Sequence, residues 1–366
     1  MNPRDRIIAV LKGEKPDLVP WFGDLDYWIT GLKAQGISQD SYQGSGLFKL
    51  HRDLGVGFYL QGYFPFLTLT ENIQVTQEQK GHTRHTRLNT PVGELECIEV
   101  YLPESFCWAY QKHFIKNWKD FEALRYWVNH THYQPDYGRA LEYSLLIGNQ
   151  GLVLGYLPKS PFMELVALLA GITAVTEAYI DAPEELEETL TVMEIKATEA
   201  AMIALNSPCE CLMIPENLSS EVVGKRFYNL YMRKYEKYWV DKIRDAGKFS
   251  FIHVDGTLKG LIREVASTGF DVLEALTPAP VGDIPIEEIH NWAGDHSIVW
   301  GGIPGIYFTD LIGDLEFDQF VIRILETMCA IPRHVLGVAD QVPPGSRWER
   351  IKRVNELVEQ FGMIKW

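Results

Sequence analysis

Short apolar runs rich in β-branched residues alternate with longer segments of helical hydrophobic period along most of the chain. Each short run predicts a buried strand, and each longer segment predicts a helix that returns the chain so that the strands pair in parallel. The predicted strands are 18–22, 57–61, 152–158, 211–217, 249–256, 271–280, 297–305 and 334–344. The predicted helices include 183–205, 221–246, 258–268, 286–294, 311–328 and 347–361. Eight strand–helix units are the number that closes a (β/α)8 TIM barrel, an α/β fold.

The pattern changes between Leu67 and Leu102, where alternating polar and apolar residues predict antiparallel strands. The predicted turns lie at 79–81 and 91–93, and a helix is predicted at 118–126. We interpret about 68–115 as a β-hairpin insertion that caps the mouth of the barrel. The whole of 1–366 is then one domain.

Composition and charge narrow the classes of partner. The chain has 366 residues, 46% of them hydrophobic, and a formal net charge of -15. These values exclude a disordered chain, and the acidic surplus argues against binding nucleic acid or an anionic membrane. The N-terminus lacks the apolar core of a signal peptide, the five cysteines do not suit a disulfide scaffold, and no apolar run reaches membrane-spanning length. We therefore expect a cytoplasmic protein.

The ends of the predicted strands carry most of the candidate chemistry, because the loops after parallel barrel strands line one mouth. The expected substrate-binding side chains share this placement: Trp21, Asp24, Asp26, Trp28, Tyr63, Phe162, Asn217 and Trp300. Ordinary core and rim packing explains most of these aromatic rings, and a subset that lines an apolar pocket would suit a flat aromatic or methylated substrate. The sixth strand also places Glu274 there, without a specific role. Gly301 and Gly302 predict a tight turn at the rim.

His253-Val254-Asp255 is the sharpest local signal. Alternate residues of a strand project to the same side, so His253 and Asp255 are placed to contact one metal ion or one reacting group. A histidine that is merely oriented by a neighbouring carboxylate gives the same pattern. Glu216 and Asp340 end other strands and are expected at the same mouth. The sequence has no dinucleotide-binding, P-loop, serine-hydrolase or H-E-x-x-H motif.

Several segments together resemble the uroporphyrinogen decarboxylase-like superfamily, which includes corrinoid-dependent methyltransferases as well as the haem-pathway decarboxylase. The resembling segments are 4–6, 13–20, 90–93, 161–162, 253–256 and 336–344. The resemblance spans nearly the whole chain and implies a (β/α)8 barrel. The decarboxylase has an arginine-rich loop after its first strand, whereas residues 21–26 here contain two aspartates and no arginine. A substrate with many carboxylates needs cationic partners, so we expect no uroporphyrinogen decarboxylase activity.

The methyltransferase branch holds zinc with one histidine and two cysteines. The resemblance aligns these ligands with His253, Asp255 and Asp340, and Glu216 is placed to complete the set. Replacing both thiolates by carboxylates suits a harder, Lewis-acidic metal site that polarises an ether or phenolate oxygen.

The expected function is therefore a methyltransferase-like enzyme of this superfamily. A divalent metal, with zinc the expected ion, would polarise a small methoxylated aromatic or other methylated donor. The acceptor would be a corrinoid (cobalamin) carried by a partner protein. The expected catalytic residues are His253, Asp255, Glu216 and Tyr156, of which Tyr156 or Glu216 would handle protons.

Two alternatives stay open at this point. One is a decarboxylase or lyase that acts on a small carboxylic acid, and the other is a non-catalytic barrel that binds a corrinoid or another ligand. The oligomeric state is also open, with a homodimer the commonest form among soluble oligomers.

Overall fold

The computed structural model describes residues 1–36 and 46–366. Its strands are β1 Trp21–Phe22, β2 Phe58–Tyr59, β3 Phe66–Thr70, β4 Gln74–Lys80, β5 Thr83–Thr90, β6 Gly93–Leu102, β7 Cys107–Lys112, β8 Thr131–Pro135, β9 Gly151–Leu152, β10 Leu154–Tyr156, β11 Cys211–Leu218, β12 Phe249–Val254, β13 Val272–Leu276, β14 Ile298–Pro304 and β15 His334–Ala339. Its α-helices are α1 Pro3–Leu11, α2 Asp26–Ala34, α3 Gly46–Leu54, α4 Phe121–Asn129, α5 Gly138–Ile147, α6 Pro161–Glu164, α7 Gly171–Asp181, α8 Pro183–Leu205, α9 Lys225–Phe227, α10 Arg233–Asp245, α11 Ile262–Thr268, α12 Ile286–Ala293, α13 Asp314–Ala330 and α14 Trp348–Phe361. Two π-helical segments lie at Leu165–Ala170 and Tyr228–Met232.

The chain divides into two compact units. Unit 1 comprises Met1–Tyr63, Gly138–Tyr156 and Pro208–Trp366, and unit 2 comprises Phe64–Tyr137 and Leu157–Ser207. The segment 68–115 belongs to unit 2. Its role as a cap on a barrel mouth, and the single domain over 1–366, stay predictions.

Unit 1 is built on parallel strands. A seven-stranded sheet has the order β10-β11-β12-β13-β14-β15-β1, with every neighbouring pair parallel. A parallel bridge from Phe22 to Gly57 and the parallel pair β2–β9 extend this series, and only Val153 separates β9 from β10. The pairing thus returns to the strand where it began. All eight predicted strand regions take part, in an α/β arrangement like that of a (β/α)8 barrel.

The core of unit 1 lies among the inward-facing side chains of these strands. Trp300 is fully buried, with its ring 5.2 Å from Phe22, 4.8 Å from Tyr59 and 5.7 Å from Phe251. The predicted turn at Gly301 is wrong, because this residue lies inside β14. A Cβ at Gly301 would come within 2.3 Å of the carbonyl oxygen of Leu276, so the glycine permits close approach of two strands.

Unit 2 contains the antiparallel strands that the sequence predicts. Strands β4, β5, β6 and β7 pair in that order, and β3 pairs with β8, all antiparallel. Helices α4, α6, α7 and α8 complete the unit. Within the described residues one helical segment, Pro161–Asp181, is long and apolar enough to cross a membrane by length and composition alone, and 39% of its most apolar window is buried. A core helix passes the same test.

Candidate functional site

His253, near the end of β12, lies between two carboxylates of unit 1. Strand pairing puts it opposite Glu274 of β13, and its Nδ1 is 2.5 Å from Glu274 Oε2. Its Nε2 is 3.6 Å from Oδ1 of Asp340, which follows β15. Glu274 is fully buried, whereas the Asp340 side chain is 52% exposed. The imidazole is therefore fixed at Nδ1 by the buried carboxylate of Glu274, and its Nε2 faces the accessible carboxylate of Asp340.

The charge of His253 follows from these neighbours. Burial by itself lowers the pKa of a histidine, but the charge of Glu274 and its hydrogen bond outweigh burial, so the pKa of His253 is raised. Asp340 and Asp255 add to the rise. Partial burial raises the pKa of Asp340, the positive charge of His253 opposes that rise, and Asp255 and Glu274 reinforce it. Asp255 therefore lies within electrostatic reach of both groups.

A hydrogen-bond network extends from Glu274 across the unit. Its Oε1 accepts from the Tyr59 hydroxyl at 2.9 Å and from Gln61 Nε2 at 3.4 Å. The Tyr156 hydroxyl donates to the carbonyl oxygen of the Gln61 side chain. Burial raises the pKa of Tyr59 and Tyr156, and the charge of Glu274 adds to it, so both phenols stay protonated. The network thus joins two predicted residues, Tyr156 and His253, through Gln61 and Glu274.

Asp24 and Asp26 form a second acidic pair in unit 1. Asp24 is buried and accepts hydrogen bonds from the Asp26 backbone N–H and from Gln341 Nε2, both at 2.8 Å. Burial, with the charge of Asp26, raises the pKa of Asp24 to about 7. Burial also raises the pKa of Asp26, against the charge of Arg139. The pair therefore carries less negative charge at neutral pH than two ordinary aspartates.

Arg139 of α5 supplies a cation that the sequence did not place at this site. Its guanidinium lies 5.9 Å from the ring of Tyr63 and 5.1 Å from that of Tyr143. Together with Asp24 and Asp26 it lines a small cavity. Tyr59 and Gln61 line the same cavity, so the acidic pair and the histidine network are neighbours.

At three strand ends of unit 1, a residue other than glycine adopts the left-handed backbone conformation. The φ angles are 57° at Asn217, 67° at Ala275 and 70° at Asp340. Such conformations cost free energy and are kept where the surrounding structure imposes them, often at functional sites. Ala275 follows Glu274 directly, so this strain lies beside the carboxylate that holds His253.

Glu216 lies near titratable groups in and beside helix α10. Its side chain is fully buried, and its charge raises the pKa of Glu236 in α10 and of Tyr228, after burial as the main cause. The structure thus brings Asp340 close to His253, and Asp255 acts on the pKa of both groups, whereas the effects of Glu216 are on Glu236 and Tyr228. The functional roles of Glu216, Asp255 and Asp340 stay predictions.

The predicted tryptophans make protein contacts. Trp21 is buried and stacks on Phe308 at 6.5 Å. Trp28 is buried and donates from Nε1 to the carbonyl oxygen of Ser346 at 3.0 Å. Trp300 lies in the core described above.

The remaining predicted substrate-binding residues lie at different places. Tyr63 is buried beside Arg139, and Asn217 is exposed at the end of β11. Phe162 is fully buried in α6 of unit 2. Substrate binding by these residues stays a prediction.

The donor atoms around His253 fit a metal ion in part. Among the described residues no group of three or more His, Cys, Asp or Glu side chains is arranged to hold one. However, His253 Nε2 and Asp340 Oδ1 are 3.6 Å apart. Two tetrahedral ligands at zinc distances lie roughly 3.4 Å apart, so this pair is correctly spaced. A carboxylate on the other ring nitrogen, as supplied by Glu274, is typical of metal-ligating histidines.

Glu274 and Arg139 are the main functional candidates without an assigned role in the sequence. Glu274 leaves a detectable signal, because it is the lone acid in the apolar run Val272–Leu276 and a buried carboxylate needs partners. Arg139 leaves none, because nothing local distinguishes it from other helix-surface arginines.

Comparisons with known proteins agree with this architecture. The family model described as Uroporphyrinogen decarboxylase (URO-D) matches residues 146–361. Among solved structures, a methyltransferase from Methanosarcina mazei superposes with a TM-score of 0.64 at 12% identity and covers 99% of each chain. At that identity the likeness shows the fold alone. The sequence has no match among curated proteins.

Proposed function

Because the chain belongs to the uroporphyrinogen decarboxylase family, we propose that it is a methyltransferase-like enzyme of that family, acting on a small methylated donor. The observation that carries the proposal is the His253 imidazole, which is held by buried Glu274 and presents Nε2 toward Asp340. This is the orientation that a metal-ligating histidine needs. The Methanosarcina methyltransferase shares the fold and supports the same class of reaction.

His253 and Asp340 would hold the metal, with Asp255 as the third ligand. A divalent ion bound there, with zinc the expected one, supplies a Lewis acid that polarises the donor atom losing its methyl group. Glu274 keeps the Nδ1 proton in place, so Nε2 carries the free lone pair. A corrinoid on a partner protein is the proposed acceptor.

We assign proton transfer to the acidic pair, Asp24 and Asp26, and to the phenols of Tyr59 and Tyr156. A leaving alkoxide or phenolate takes up a proton when the methyl group departs. Asp24 is suited to deliver it, because a carboxyl group with a pKa of about 7 is partly protonated at neutral pH. Glu216, which is fully buried, is the other proposed proton handler. Tyr156 orients the network through Gln61.

The substrate class follows from the charges of the same unit. Asp24 is partly neutral, and Arg139 balances Asp26. Glu274, Asp255 and Asp340 add negative charge around His253. Such a site suits an uncharged donor, such as a methoxylated aromatic compound, better than a polycarboxylate.

The experiment measures metal content and methyl transfer together. We expect a purified preparation to retain close to one divalent ion per chain. It should form methylcobalamin from a methoxylated aromatic donor and reduced cobalamin in the Co(I) state, which supplies the electron pair of the new cobalt–carbon bond. His253→Ala and Asp340→Asn should lose the ion and lower methyl transfer at least about 100-fold, whereas Glu274→Gln should weaken metal binding by roughly 10–100-fold.

His296→Ala is the matched control, since His296 is exposed and removed from the network. A chain that binds no ion and whose methyl transfer is unaffected by His253→Ala would contradict the proposal.

A second candidate is metal-free decarboxylation or lyase chemistry on a small acid. It is favoured by the network from Tyr156 to His253 and by the raised pKa of His253. The carbon–carbon bond to the carboxyl group would break, its electron pair would remain on carbon, and the protonated imidazole would supply the proton that carbon takes up. Release of carbon dioxide without cobalamin or metal, abolished by His253→Ala, would identify this reaction.

A further inference from the structure

The segment that follows Asp340 is tied to the loop after β1 by two hydrogen bonds to one residue. Gln341 Nε2 donates to Asp24 Oδ2 at 2.8 Å, and the backbone N–H of Val342 donates to the carbonyl oxygen of Asp24 at 3.0 Å. Because β1 and β15 are paired parallel strands, the loops that follow them lie at the same edge of the sheet. Asp24 therefore holds the two residues that come directly after Asp340.

Asp24 is itself firmly placed. It is buried, and the second oxygen of its carboxylate, Oδ1, accepts from the backbone N–H of Asp26 at 2.8 Å, at the first residue of α2. Each carboxylate oxygen thus has a donor, and one of these donors is the side-chain amide of Gln341. A buried acceptor loses free energy when a donor is removed. An apolar side chain at position 341 therefore cannot replace the amide without weakening the connection.

Helix α2 continues this connection further along both segments. Trp28 Nε1 donates to the carbonyl oxygen of Ser346 at 3.0 Å. A Cβ at Gly31 would come within 2.6 Å of Pro344 Cβ, so the glycine allows α2 to lie directly against the segment after β15. Residues 341–346 are therefore held at several points by the part of the chain that starts at Asp24.

The conformation of Asp340 depends on how its neighbours are held. Its φ angle of 70° is left-handed, which a residue other than glycine keeps only where the surrounding structure imposes it. Its side chain is 52% exposed, and its Oδ1 lies 3.6 Å from His253 Nε2, too far for a strong hydrogen bond to hold it. The hydrogen bonds of Gln341 and Val342 to Asp24 are the constraints next to it in sequence.

We propose that Gln341 is a positioning residue, which fixes the backbone beside Asp340 so that the carboxylate of Asp340 faces His253 Nε2. The purpose of this placement rests on the proposed function, in which His253 and Asp340 hold one metal ion. Gln341 acts through Asp340 rather than on the reacting atoms. Asp24 then has two tasks, because the group proposed to deliver a proton also anchors the segment next to a metal ligand.

Gln341→Met tests the proposal on the full chain, because methionine has nearly the same length and lacks the N–H donor. In the metal-free chain the NMR signal of His253 Nε2 should shift, since the neighbouring carboxylate of Asp340 is displaced. The affinity for zinc, measured by calorimetry with the metal alone, should fall by roughly 10-fold or more.

Gln360→Met is the matched control, since Gln360 is exposed on α14, and it should leave both measurements unchanged. An unchanged Nε2 signal in Gln341→Met overturns the positioning role, whatever the zinc affinity. A shifted signal with unchanged zinc affinity overturns the link to the metal site. If the unsubstituted chain binds no zinc, the proposed metal site fails, and the Nε2 signal by itself decides whether Gln341 positions Asp340.

Discussion

At the scale of single residues, the chain contains its own comparison for His253. His51 and His334 are buried histidines, and burial lowers the pKa of each to about 4. The pKa of His253 is raised even though burial acts on it in the same direction. The difference is the charge and hydrogen bond of Glu274. Glu274 is therefore the main group that keeps the pKa of this imidazole raised, and Asp340 and Asp255 act in the same direction.

Glu274→Gln should lower the pKa of His253. The amide removes the negative charge of Glu274, so that only Asp340 and Asp255 still oppose the effect of burial. A titration of the His253 ring signals by NMR measures the shift.

Glu287→Gln is the control for that titration, because Glu287 is a surface carboxylate paired with Arg323. It should leave the His253 signals unchanged. An unaltered pKa in Glu274→Gln would show that Asp340 and Asp255 set the charge of the imidazole instead.

At the scale of elements, hydrophobic periodicity predicts well where helices and strands lie, and predicts poorly where their backbone is irregular. Helix α8 spans Pro183–Leu205, the predicted range. The helix predicted over 221–246 begins at Lys225 and is interrupted by the π-helical turn Tyr228–Met232. Hydrophobic periodicity is an average over a whole element and reports which face of that element is buried. A π-helical turn or a close approach of two strands changes this average very little.

Gly301→Ala should destabilise unit 1 by about 3 kcal/mol or more. The new Cβ would overlap the backbone oxygen of Leu276 in the paired strand β13, and neither strand has a flexible side chain there that can yield. Urea denaturation measures the free energy of unfolding.

Gly313→Ala provides the comparison, since a Cβ at Gly313 meets nothing within 4 Å. Its cost should stay below about 1 kcal/mol. Equal effects of the two substitutions would mean that β13 and β14 separate easily at this point.

At the scale of the whole molecule, buried titratable groups act on stability in opposite directions. The pKa values of His51 and His334 are lowered, so they favour folding above the ordinary histidine pKa and this contribution is lost as pH falls toward 4. The pKa of Asp24 is raised from 3.8 to about 7, so its contribution is present below pH 3.8 and is lost as pH rises toward 7. The net charge of -15 does not reveal this opposition.

Asp24→Asn should separate the two effects. Asparagine cannot ionise, so the variant does not lose stability as the pH rises through the pKa of Asp24. The difference in free energy of unfolding, variant minus unsubstituted chain, should therefore rise by roughly 2–3 kcal/mol between pH 5 and pH 8. Any constant loss from the altered hydrogen bonds to Asp26 and Gln341 cancels in this pH difference. Asp53→Asn, at an exposed carboxylate paired with Lys49, should give a difference that is constant with pH. A constant difference for Asp24→Asn as well would refute the raised pKa.

The sequence by itself determined the eight strand regions of unit 1, the antiparallel region around 67–102 and the placement of His253 and Asp340 near strand ends. It could do so because burial follows local periodicity, and because parallel strands bring their ends to one edge. Only the tertiary structure decided that Glu274 holds His253, that Arg139 joins the acidic pair and that Glu216 acts on Glu236 and Tyr228. These relations depend on register, side-chain direction and the charges of residues far apart in the chain, and no local pattern encodes them.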